Sequence, residues 1–132
     1  GLDVYVNGSF LNAYEGDGII ISTPTGSTGY NLSAGGPIVD PMARLMIITP
    51  VCPHSLTSKS IVLPSDAKVS IEIAKKRKTQ DTEAIVSFDG GNDFELAAGD
   101  VLDICVSQRT TQLVKASDVN FYEILRNKLG GK

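Results

Sequence analysis

Apolar and polar residues alternate in short runs along this chain, with turn-forming residues between the runs. Leu2, Val4 and Val6 alternate with Asp3 and Tyr5, and Asn7-Gly8 then offers the tight turn of a hairpin. Phe10 to Tyr14 reads as the returning strand. Gly18 to Ser22 holds a compact apolar run, Ile19-Ile20-Ile21, bounded by Gly and Pro. Leu45 to Thr49 and Ile61 to Leu63 are further strands, each expected to stop at a proline. Val69, Ile71 and Ile73 alternate with Ser70 and Glu72, as a strand with one buried face does. Ala84 to Phe88, Phe94 to Leu96, Val101 to Val106 and Leu113 to Lys115 complete the set. Strands at roughly 8–12-residue spacing with turns between them predict a mainly β fold, an antiparallel β-sandwich.

Helix is scarce. Tyr30 to Ala34 can form a turn or two after a Gly-rich loop. Phe121, Ile124, Leu125, Lys128 and Leu129 have helical spacing, with Asp118 available as a cap and Gly130-Gly131 as a stop. No internal repeat or linker interrupts the pattern. The 132 residues, 42% hydrophobic and 20% charged, are therefore expected to form one domain with its own core.

A net charge of -3 and a pI near 5.0 argue against nucleic acid as a partner. The apolar runs are too short to span a bilayer, so no membrane is expected. The chain opens at Gly1 without Met, as an excised domain would, and no basic-then-apolar leader is present. A cytoplasmic location is the expectation. Cys52 and Cys105 form no tight pair motif and read as small apolar side chains in a reducing compartment. His54, the single histidine, reads as a loop residue shaping its own turn, so a zinc site or a cysteine–histidine hydrolase is not expected. Lys75-Lys76-Arg77-Lys78 reads as a solvated hairpin tip, with a phosphate contact as the sharper alternative.

Glu15 to Pro37 differs from the rest. It packs Gly16, Gly18, Gly26, Gly29, Gly35 and Gly36 among Ser22, Thr23, Thr25, Ser27, Thr28 and Ser33. Glycines let backbone approach a ligand closely, hydroxyls donate and accept without a fixed charge, and Tyr30 adds a face for stacking a base. A strand, such a loop and a short helix suggest a polar ligand at a helix N-terminus. A loop that merely turns a strand into a helix uses the same residue types. The run is neither a Walker loop nor a dinucleotide fingerprint, because the Gly-Lys-Ser/Thr ending and the required Gly spacing are missing.

The order of residues carries more than their types. Gly16-Asp17-Gly18, three apolar residues, then Ser22-Thr23-Pro24-Thr25-Gly26-Ser27-Thr28-Gly29-Tyr30-Asn31-Leu32-Ser33-Ala34-Gly35-Gly36-Pro37 resembles the NAD-binding signature of NAD kinases. Thr49-Pro50-Val51-Cys52-Pro53-His54-Ser55-Leu56 and the Asp89 turn extend the resemblance more loosely. It implies transfer of a phosphoryl group from ATP, or polyphosphate, to the adenosine-ribose 2′-hydroxyl of NAD, giving NADP. By the resemblance, Thr25, Thr28, Gly29 and Tyr30 line the adenine side. Asp17 and Ser33 reach the nicotinamide amide, and Cys52 lies where a neighbouring subunit contacts the same ligand by backbone. Asp89 faces the phosphate region, or is an ordinary turn residue before two glycines. Gly29 stands where relatives more often have Ala, and Glu15 where a basic residue is frequent, so no phosphate contact is expected at Glu15.

The family's Gly-Gly-Asp-Gly turn and its Asn-Glu/Asp pair are missing from this sequence. The resemblance therefore implies a carboxy-terminal domain whose catalytic Asp lies in an N-terminal α/β domain outside this chain. No residue here is assigned a catalytic or metal-binding role, and the chain alone is expected to be inactive. The full enzyme would use a divalent metal such as Mg and form a homo-oligomer, a dimer or tetramer. Two alternatives are a relative of diacylglycerol or sphingoid lipid kinases, against which Thr25 to Tyr30 speaks, and a non-catalytic β-sandwich assembly module.

Overall fold

Val4, Ile48 and Ile71 come from distant stretches of chain yet share one buried cluster, and the strands carrying them explain why. The computed structural model describes residues 1–55, 58–74, 84–108 and 120–130, with the side chains of Tyr30 and Lys128 outside that description. In chain order the strands are β1 (Leu2–Val6), β2 (Ser9–Tyr14), β3 (Gly18–Ser22), β4 (Leu45–Val51), β5 (Ile61–Pro64), β6 (Val69–Ile73), β7 (Ala84–Ser87), β8 (Asp93–Leu96) and β9 (Val101–Ile104). A 3-10 turn (Thr25–Thr28) and helix α1 (Tyr30–Ser33) follow β3, and helix α2 (Phe121–Lys128) lies near the end. Among the described residues every pairing is antiparallel, in sheets ordered β2-β1-β6-β9, β3-β4-β5 and β7-β8.

The first two sheets form the expected sandwich. Val4, Tyr14, Val69 and Ile71 from one meet Met46 and Ile48 from the other, flanked by Leu2, Leu11, Leu102, Ile104, Ile19, Ile21 and Leu63. Their registers agree: Val4 lies opposite Ile71, Ile71 opposite Leu102, Ile21 opposite Ile48, and Met46 opposite Leu63. Each alternating run thus turns its apolar set to one shared layer, as the two-residue period of a strand requires.

Strand β4 is buried on both faces. Met46 and Ile48 enter the core, while Ile47 and Thr49, also buried, face the opposite side. There the 3-10 turn and α1 pack against β3, so the Gly-rich segment forms a lid on the outer face of this sheet.

Of the two prolines expected to end strands, one lies inside its strand and the other ends its strand as expected. Pro50 belongs to β4 and Pro64 closes β5. Val51 turns its carbonyl to the β3 side, accepting from the Asp17 amide at 3.0 Å, so Pro50 points its missing N–H the other way. On that side the β5 ladder has already ended at the Ile48–Ile61 pair, so no hydrogen bond is lost. Pro64 ends an edge strand, where the same tolerance holds.

The Asn7-Gly8 turn forms as expected, with φ of +50° and +84°, the left-handed pair of a two-residue hairpin. Helix α2 is capped by Asn120, whose side chain accepts from the Glu123 amide at 2.9 Å, rather than by Asp118. Gly130 follows it at φ +73°. Asp118, the expected strand Leu113 to Lys115 and the basic run Lys75 to Lys78 lie outside the described residues.

Candidate functional site

The Gly-rich segment is built from its buried polar groups outward. Ser27 is fully buried; its Oγ accepts from the Val39 amide at 2.9 Å and donates to the Val39 carbonyl at 3.4 Å. Asn31, 1% exposed, donates from Nδ2 to the carbonyls of Ser27 (3.1 Å) and Pro37 (3.0 Å). Its Oδ1 accepts the Thr49 hydroxyl at 2.6 Å, and its backbone carbonyl accepts the Gly36 amide at 2.8 Å. Thr49 Oγ1 lies 3.0 Å from Ser60 Oγ. Since the single Thr49 proton is directed to Asn31, Ser60 supplies the proton of that second bond. Gly36 must be glycine, because a Cβ there would collide with the Asn31 amide group.

A second close approach aligns Gly16-Asp17-Gly18 with the turn after β4. The Asp17 amide donates to Val51, and the His54 amide donates to the Glu15 carbonyl at 2.9 Å. Gly16 has φ +149°, and a Cβ there would lie 2.6 Å from the Cys52 carbonyl oxygen and 2.9 Å from Pro53 Cα. Cys52 itself adopts φ +44°, a left-handed conformation uncommon for any residue but glycine or asparagine. Asp17 and the Cys52 turn are thus neighbours through backbone within the chain.

Around this scaffold the remaining candidates face outward. Thr25, Gly29 and Ser33 are exposed and Thr28 is half-buried; the Tyr30 side chain lies outside the described residues. Asp89 sits elsewhere, at the tip of the β7–β8 hairpin. Asp89 and Gly90 have φ of +49° and +69°, and the Gly91 amide donates to Phe88 at 2.8 Å. That is a type I′ turn, for which Asp-Gly is a preferred pair, so the local geometry is that of a turn-former. Both cysteines are free and exposed, not packed as apolar core positions.

Two open concavities adjoin the site. One of about 210 Å³ reaches the Gly-rich segment at Ala34 and Gly35 and is walled by Thr49, Pro53 and Ser60. The larger, about 630 Å³, lies between Tyr14, Glu15, His54 and Lys59. Among the described residues neither is lined by Asp17 or by Thr25 to Gly29, so the larger hollow and the Gly-rich loop do not coincide. The loop is the better candidate, because buried polar anchors fix it while Thr25, Gly29 and Ser33 are exposed. Among the described residues no group of three or more His, Cys, Asp or Glu could hold a metal ion.

Sequence reasoning assigned no role to Ser27, Asn31, Thr49 or Ser60. Asn31 and Ser27 lie within the signature, and Thr49 is an outward strand position two residues after Ile47; nothing in the sequence marks Ser60.

The family described as the ATP-NAD kinase C-terminal domain matches residues 1–116. The NAD kinase of Lachnoclostridium phytofermentans is 50% identical over 132 residues, all of this chain and 46% of that protein. The NAD kinase of Agathobacter rectalis is 53% identical over 129 residues, 98% of this chain and again 46% of the relative. The chain thus spans about half the length of the relatives it matches. Among solved structures, yeast NADH kinase complexed with NADH aligns at a TM-score of 0.68 and 37% identity, covering 78% of this chain and 29% of that one. An Archaeoglobus fulgidus NAD kinase in complex with ATP aligns at 0.70 and 30% identity, covering 81% and 39%. With this match, and with the signature folded as one anchored loop on a β-sandwich, the chain belongs to the ATP-NAD kinase C-terminal domain family.

Proposed function

We propose that this chain is the NAD-binding domain of an NAD kinase that makes NADP, and that an N-terminal α/β domain outside the chain completes the active site. The observation that carries the reading is the Gly-rich loop: its interior is fixed by Ser27 and Asn31, while Thr25, Gly29 and Ser33 remain open. An anchored loop loses little entropy on binding, and exposed hydroxyl-bearing residues such as Thr25 and Ser33 suit a ligand with many polar atoms. The yeast relative was crystallised with NADH and the archaeal one with ATP, which supports NAD as acceptor and ATP as donor; polyphosphate is a second donor.

In this reading Thr25, Thr28, Gly29 and Tyr30 hold the adenine side, and Asp17 and Ser33 hydrogen-bond the nicotinamide amide. The Cys52 turn offers its backbone to NAD bound in a neighbouring subunit, within a dimer or tetramer. Asp89 faces the phosphates from the β7–β8 tip. The reaction joins the ribose 2′-oxygen to the terminal phosphorus of the donor as the bond to its leaving oxygen breaks, and the hydroxyl proton is lost. An Asp of the N-terminal domain would take that proton, and a bound divalent metal, Mg for instance, would supply neutralisation of the donor phosphates. In this reading the chain's own contribution is to bind and orient NAD. The lipid-kinase alternative is not favoured, because the relatives above are named NAD or NADH kinases. No helix among the described residues is long and apolar enough to cross a membrane.

The test is NADP formation, read by an NADP-specific dehydrogenase, with the complete protein and with the 132-residue chain alone. The complete protein forms NADP and the chain alone does not. Turnover by the isolated chain would contradict the division of labour, and none by the complete protein would contradict the function.

A further inference from the structure

We infer that Asn31 and Thr49 are positioning residues for the dinucleotide, a buried pair that holds the Gly-rich loop in its binding shape; this rests on the NAD-binding reading above. Asn31 is 1% exposed and Thr49 1%, so neither touches a ligand from the surface. What Asn31 does touch is both ends of the loop. One amide proton goes to Ser27, on the 3-10 turn, and the other to Pro37, ten residues later in sequence and next to the packed Gly36. Its remaining acceptor takes the Thr49 hydroxyl, which ties the loop to the rigid central strand β4. Asn31 therefore spends every side-chain hydrogen-bonding group on the loop and its support.

Several of the proposed ligand-facing residues are enclosed by these ties. Thr28 and Gly29 lie between Ser27 and Asn31, and Ser33 lies between Asn31 and Pro37. Removing the Thr49 proton leaves the buried Asn31 Oδ1 without that donor and Ser60 without its acceptor. The loop then shifts as a unit, and binding weakens for the ligand that the loop contacts.

The variants are made in the complete kinase. Thr49→Val conserves side-chain volume and deletes the hydroxyl; Thr49→Ser restores it; Asn31→Asp conserves shape and deletes both amide protons. For Thr49→Val and Asn31→Asp, KM for NAD rises at least tenfold while KM for ATP stays within twofold. Thr49→Ser returns KM for NAD to within threefold of the wild type. A purely structural role predicts a different result: a lower melting temperature and fewer active molecules, with KM for NAD unchanged. Thr49→Val with KM for NAD within twofold of the wild type overturns the inference, as does an equal rise in both KM values. If Thr49→Val yields no folded protein, Ser60→Ala gives the same reading through the outer hydroxyl, with a threefold rise in KM for NAD expected and no change overturning. A wild-type kinase without NAD affinity refutes the NAD reading itself, whereas wild-type NAD affinity retained by Thr49→Val refutes this inference alone.

Discussion

Replacing Gly16 with Ala tests how tightly the Gly16-Asp17-Gly18 loop is seated on the turn after β4. Two costs add. An L-residue held at φ +149° occupies backbone space nearly reserved for glycine, a strain of about 1–3 kcal/mol. The new Cβ would lie 2.6 Å from the Cys52 carbonyl oxygen and 2.9 Å from Pro53 Cα, backbone atoms that cannot rotate aside. The loops must separate, which loosens the Asp17–Val51 and His54–Glu15 hydrogen bonds, about 0.5–1.5 kcal/mol each. The total is about 4 kcal/mol. For 132 residues the unfolding entropy is roughly 0.28 kcal/mol per kelvin, so Tm falls by about 14 °C. Gly8→Ala is the control: its φ is +84°, and no atom lies within 4 Å of the added Cβ, so it costs only the left-handed term of about 1–2 kcal/mol. Scanning calorimetry of both variants gives the comparison. Equal losses in the two would refute the close-approach argument, because only Gly16 has a neighbour to collide with.

Three further outcomes are expected. Ile48→Ala, at a fully buried position between the two sheets, costs about 2–5 kcal/mol in urea denaturation, whereas Val62→Ala at a 54% exposed site stays within about 0.5 kcal/mol. Asp89→Asn keeps the type I′ turn and leaves stability unchanged, while Asp89→Val places a β-branched residue at φ +49° and costs about 1–2 kcal/mol by the same assay. Tyr122 donates to Asp40, and that bond raises the phenol above its ordinary 10.0 and, with the Met42 amide, holds the Asp40 carboxyl below 3.8. The contact of α2 with the loop before β4 is therefore present at neutral pH. It is lost as pH falls through the lowered Asp40 value or rises through the raised Tyr122 value. Tyrosinate absorbance during an alkaline titration checks the sign, since Asp40→Asn makes one tyrosine ionise earlier.

Much of the sandwich was legible because its strands obey the two-residue period over a shared core: Leu2 to Val6, Gly18 to Ser22 and Val69 to Ile73 occupy the stretches their alternation marks. Strand ends were less legible where proline intervened. Pro50 is compatible with β4 only because β5 has already ended beside it, a tertiary fact absent from local pattern. The Gly-rich loop could be recognised from its residue order, but the reason for that order could not. Asn31 and Thr49 are 18 positions apart, and their bond depends on which face of β4 the loop covers. Asn31 could be read only as one polar residue among many until its burial was known. Asp89 shows the reverse case, a residue whose turn chemistry is clear locally while any contact with phosphate depends on elements beyond this chain.

The central claim, that this domain carries the NAD site, is tested most directly by an amide-resolved NMR titration with NAD carried to millimolar concentration. That range is set by half a pocket retaining only about 4 kcal/mol of binding. The account predicts shifts clustered on Asp17 and on Thr25 to Ser33, with the β7–β8 ribbon affected only at Asp89. No shift in this chain and none in the complete protein would contradict it.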